Sequence, residues 1–66
     1  MKLVNVDDFV KITYGKYDSE TVFNAEHCRT NYYTENGDLV GYYEHWLTEE
    51  SCVSETLYFI TEGYYE

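Results

Sequence analysis

Sixty-six residues make one domain, 1–66, with room for a single small core. Thirteen acidic residues against four Lys and Arg leave a net charge of −9, which argues against binding nucleic acid or an anionic membrane and for a basic partner. Aromatic residues make up 20% of the chain and nine of them are tyrosines, so a disordered acidic tail is excluded and a folded domain is expected.

At the N-terminus, Met1 to Asp8 lacks the apolar run of a signal peptide, and no later stretch is long and apolar enough to span a membrane. A cytoplasmic protein is expected, with Cys28 and Cys52 reduced unless their strands are neighbours. Residues 5–16 predict a short helix. Asn5 suits the N-cap, Asp7 and Asp8 sit at the positive end of the dipole, and Gly15 offers a stop. Val6, Phe9, Val10 and Thr13 recur at helical spacing, although Phe9 to Thr13 also suits a strand.

Tyr17 to Glu20 reads as a polar connection, and Thr21 to Ala25 as a strand, with a short helix capped by Ser19 as the alternative. The strongest local signal follows. Asn36-Gly37 lies between two segments rich in tyrosine and β-branched residues, which predicts a two-residue type I′ hairpin. Its arms run from Arg29 and from Leu39 to Leu47, pairing Tyr33 with Val40, Tyr32 with Gly41 and Asn31 with Tyr42. Thr48 to Ser51 is a polar turn, residues 53–61 alternate as a further strand, and Gly63 to Glu66 is a tail. A helix through Val53, Leu57, Ile60 and Tyr64 fits the spacing, but the strand preference of Thr56 to Thr61 outweighs it. The expected fold is α+β: one short N-terminal helix on a three- to four-stranded antiparallel sheet, a meander with a central hairpin.

Each Tyr-Tyr pair places one ring on either side of such a sheet, and one helix covers one side. Tyrosine rings with Trp46 and Val40 are then expected on the other side, either as an ordinary half-buried surface whose hydroxyls meet water or as a contact surface for a second copy or a foreign partner. Catalysis has no comparable support. His27, Cys28, His45 and Cys52 have the wrong spacing for a zinc finger, no turn presents a nucleophile, and the four glycines form no phosphate loop. No cofactor, metal or enzymatic activity is expected.

Glu35, Asp38, Glu44, Glu49, Glu50, Glu55 and Glu62 fall on or beside the expected sheet. Carboxylates two apart on a strand lie about 6.6 Å from each other, on the general scale of phosphates along a polynucleotide. Interleaved with flat rings, they would occupy a groove built for nucleic acid. Small acidic tyrosine-rich domains of this kind resemble phage-encoded inhibitors of host proteins, in size and charge the anti-CRISPR proteins. The order of Tyr42-Tyr43-Glu44, His45, a polar segment and Leu57-Tyr58 is similar to a phage inhibitor of uracil-DNA glycosylase. That resemblance implies a DNA mimic, able to dimerise, that occupies the basic groove of a host nucleic-acid-binding protein. Glu35, Asp38, Glu44, Glu49, Glu50 and Glu55 would supply the charge, and Tyr42, Tyr43 and Trp46 the packing. The rival expectation is an interaction module or antitoxin-like subunit that binds through its aromatic sheet face.

Overall fold

The computed structural model describes residues 1–46 and 55–65. The chain runs β1 (Lys2–Val4), α1 (Val6–Thr13), β2 (Asp18–Phe23), β3 (His27–Tyr33), β4 (Leu39–Trp46) and β5 (Leu57–Ile60). All neighbours are antiparallel, in the order β1-β5-β4-β3-β2. The sheet therefore has five strands, not three or four, and is not a pure meander. The extra strand is β1, where Lys2, Leu3 and Val4 pair with Ile60, Phe59 and Tyr58. Three residues carry no periodicity of their own, so only the distant partner strand defines this one.

The helix starts where its cap predicts: Asn5 Oδ1 accepts the Asp8 N–H at 2.9 Å. Phe9 and Thr13 are buried, while Val6 and Val10 remain nearly half-exposed at the helix edge. Phe9 stands over Tyr32, Tyr43 and Tyr58 with ring centroids 5.5, 5.9 and 5.2 Å away. With Val40 and Ile60 it makes up the fully buried apolar core of the described residues.

The central hairpin forms with a different turn. Gly37 N–H donates to Thr34 C=O, Thr34 N–H donates to Asp38 C=O, and Gly37 has φ +89°. The loop thus holds three residues, Glu35 to Gly37, with glycine in the left-handed position that such loops require. Tyr33 accordingly pairs with Leu39 rather than Val40. The register then shifts between Tyr33 and Tyr32, leaving Val40 as the extra residue of a bulge. Beyond it, Tyr32 meets Gly41 and Asn31 meets Tyr42, the expected pairs. A one-residue slip inverts a strand's faces, and the bulge undoes the slip that the longer loop introduces.

Two polar segments turn out to be structured. Asp18 to Glu20 is the first half of β2 and not a connection. Tyr64 and Tyr65 are not a free tail. Tyr64 packs edge-on against Tyr17 at 6.2 Å, and Tyr65 O–H donates to Asp8 Oδ2 beneath the Lys2 ammonium.

Candidate functional site: the open sheet face

Cross-strand partners share a face, so the register sorts every strand residue. On the helix side lie Thr21, Thr30, Tyr43, Tyr58 and Val4 in one row, with Ser19, Tyr32, Gly41, Ile60 and Lys2 in the next. The opposite side carries Glu20, Asn31, Tyr42, Phe59 and Leu3 in a row across all five strands. Beside it run Val22, Arg29, Glu44 and Leu57, and then His27 with Trp46. No described element covers this second face.

Its centre is aromatic. Tyr42 stacks on Phe59 at 4.9 Å and 28°, and the Arg29 guanidinium lies 3.6 Å from the Tyr42 ring centroid on the diagonal. Arg29 is held there because its Nε donates to Asn31 Oδ1 at 2.9 Å. One strand end carries a second cluster. The His27 and Trp46 rings lie 4.9 Å apart, and the His27 Nε2–H donates to Glu44 Oε1 at 3.0 Å. Trp46 at 42%, Val22 at 53% and Leu3 at 58% exposure leave apolar surface in solvent around these stacks.

The structure groups the expected site residues unevenly. Tyr42, Glu44 and Trp46 come together on the open face. Tyr43 points the other way, half-buried beneath Phe9, because adjacent strand residues alternate. Glu35 and Asp38 are exposed at the hairpin tip, and Glu55 is exposed just ahead of β5, beside Leu3 and Val4. Glu49 and Glu50 lie outside the described residues, as does Cys52.

Carboxylates are therefore not arranged as one continuous row. Among the described residues Glu44 is the only acid near the centre, and its side chain is 14% exposed and tied to His27. Of the others, Asp18 and Glu20 lie on its β2 rim, Glu26 in the β2–β3 turn and Glu35 and Asp38 at the hairpin tip mark the two ends of the sheet, and Asp7 and Asp8 lie on α1 across it. None of these rim acids has an ion-pair partner among the described residues, where His27–Glu44 is the one pair. Of the four Lys and Arg, only Arg29 lies on this face. Lys2 is on the helix side, and Lys11 and Lys16 lie on and just after α1.

Asp18, Glu20, Arg29 and Phe59 escaped the sequence reading. The first two fall in the expected connection, and the others gain meaning from Tyr42 on the strand beside each of them. The available signal was the alternation Asp18-x-Glu20-x-Val22, which puts both acids and an apolar residue on one face.

The helix side offers a different environment. A groove of about 340 Å³ runs between α1 and the sheet, lined by Val6, Val10, Tyr14, Tyr32 and Tyr43 among others. Burial pushes the Tyr32 hydroxyl above the usual tyrosine range, and the adjacent Tyr43 phenol adds to the shift. That groove holds phenols and aliphatic edges without a carboxylate or imidazole to act as acid or base.

His27 and Cys28 face opposite ways, and Cys28 pairs in register with His45 on the helix side. No group of three or more metal-ligating side chains occurs among the described residues. No described helix is long and apolar enough to cross a membrane. No family model matches this sequence, and no curated protein or solved structure is significantly similar to it.

Proposed function

We propose that this chain is a non-catalytic binding protein whose open sheet face docks on a basic protein. In its most specific form, the chain is a phage-type inhibitor that occupies the nucleic-acid groove of a host defence or repair protein. One observation carries the reading: an aromatic centre of Tyr42 and Phe59, with Trp46 at one strand end, shares its face with Asp18 and Glu20, which have no ion-pair partner among the described residues, while three of the four Lys and Arg lie off that face. Aromatic anchors provide the affinity of protein contacts, and a charged rim steers encounter and selects the partner. A groove that stacks bases between cations is complementary to both parts.

The distribution of charge revises the expected mimicry. Asp18 and Glu20 are the one pair of acids two apart on a strand of this face among the described residues, so no extended row at phosphate intervals forms. Its rim supplies negative potential while its rings supply the packing surface.

A second reading has its own support. Because Glu44 is sheltered and Arg29 sits at the centre, the middle of the face also suits an apolar contact with a second copy or an assembly partner. Affinity capture from a bacterial lysate separates the two. The immobilised chain is expected to retain basic nucleic-acid-binding proteins that elute with salt, and Trp46→Ala beads are expected to lose them. Recovery of acidic or neutral proteins insensitive to salt would support the second reading instead.

A further inference from the structure

The sheet ends in two unequal edges. β1 offers three residues, whereas β2 offers six, all exposed, with unbroken register to β3 from Asp18–Tyr33 to Phe23–Cys28. No described strand lies beyond it. Sheet edges are ordinarily blunted by charged side chains, proline, bulges or shortness; β2 has no proline or bulge, is not short, and carries only the two carboxylates, Asp18 and Glu20.

Its outward backbone can be assigned. Asn24 N–H donates to His27 C=O at the hairpin end, and antiparallel ladders alternate between bonded and non-bonded pairs. Asp18, Glu20 and Val22 therefore turn their N–H and C=O groups toward β3, and Ser19, Thr21 and Phe23 turn theirs outward. Asp18 and Glu20 meanwhile project from the open face about 6.6 Å apart, with Val22 one step further. An added antiparallel strand would face Val22, Glu20 and Asp18 at every second residue.

These side chains choose the occupant. A second copy of a chain with charge −9 would bring the acidic row of β2 alongside its own. A segment with cations at alternate positions would pair them with Glu20 and Asp18.

We infer that β2 accepts an extended basic segment of another protein by strand addition, in the pattern apolar-x-basic-x-basic running antiparallel to it. The edge shares Asp18, Glu20 and Val22 with the open face, but its outward backbone at Ser19, Thr21 and Phe23 is its own and Trp46 belongs to the open face alone, so Thr21→Pro and Trp46→Ala separate the two contacts.

The test uses the full 66-residue chain and fluorescein-labelled Val-Thr-Lys-Thr-Lys, read by anisotropy and by amide shifts of β2. Expected results are binding by the wild type and by Trp46→Ala, a loss of about tenfold or more in Glu20→Lys, and no binding of Val-Thr-Glu-Thr-Glu. Thr21→Pro removes an outward N–H without breaking the ladder to β3, and should abolish binding. Methylating the peptide's β2-facing amide nitrogens should do the same, whether or not the proline variant folds. Undiminished binding of the methylated peptide would reduce the contact to charge attraction and overturn strand addition, as would failure of the lysine peptide to bind the wild type. A dimer in sedimentation that Thr21→Pro breaks would assign the edge to a second copy and overturn the proposal.

Discussion

Phe9→Ala is expected to leave the chain without a cooperative unfolding transition at 25 °C. Phe9 is 2% exposed and contacts three tyrosine rings from three different strands, so it joins α1 to β3, β4 and β5 at one point. Truncating a buried phenylalanine costs about 3–5 kcal/mol through lost transfer energy and the cavity left behind. A domain of this length rarely draws more than about 3–5 kcal/mol from its core. The loss and the whole reserve are of the same size. Circular dichroism during thermal and urea unfolding measures the result. Val10→Ala, one residue away and 45% exposed, should shift stability by no more than about 0.5 kcal/mol. A sharp transition in Phe9→Ala close to that of the wild type would show that the helix is not the sheet's main support.

Gly41→Ala is expected to cost about 2–3 kcal/mol, although it adds a single methyl group. A Cβ at Gly41 would stand 2.5 Å from the Phe59 carbonyl oxygen and 2.9 Å from Ile60 Cδ1. The side chain of Ile60 could rotate, but a backbone carbonyl in the β4–β5 ladder cannot withdraw without loosening it. That ladder includes the Thr61 N–H to Val40 C=O bond at 2.8 Å, directly beside the bulge. Movement there would also displace Tyr42 against Phe59, and so disturb the open face. Chemical denaturation gives the energy, and tyrosine and tryptophan near-ultraviolet signals report the face. Wild-type stability in Gly41→Ala would mean that the strands are not packed this closely at the bulge.

Local chemistry was legible and long-range pairing was not. Asn5 with Asp7 and Asp8 marks the helix start because capping is settled within one turn. Asn36-Gly37 marks the hairpin, yet it does not distinguish a two-residue loop from the three-residue loop that puts only Gly37 at positive φ. The expected pairs Tyr32–Gly41 and Asn31–Tyr42 nevertheless form, because two unforeseen features, the longer loop and the Val40 bulge, offset each other. β1 was invisible for the opposite reason: Lys2 to Val4 is a strand only because β5 returns beside it. In the site, Tyr42, Glu44 and Trp46 follow from strand alternation alone. That same alternation sends Tyr43 to the opposite face, so its ring belongs to the contact with Phe9 and not, as expected, to the open face. Arg29 over Tyr42 is a diagonal contact within the hairpin, one step from the Asn31–Tyr42 pair, whereas the Tyr42–Phe59 stack needs β5 aligned beside β4, which no spacing along the chain encodes.

The salt dependence of affinity for a captured basic partner, measured for the wild type, Trp46→Ala and the double variant Asp18→Asn/Glu20→Gln, tests the open-face account most directly. The account predicts that wild-type affinity falls roughly tenfold or more from low to high salt, that the double variant flattens this slope, and that Trp46→Ala weakens binding at every salt concentration. Affinity that is constant across salt, and unchanged by all three substitutions, would contradict it.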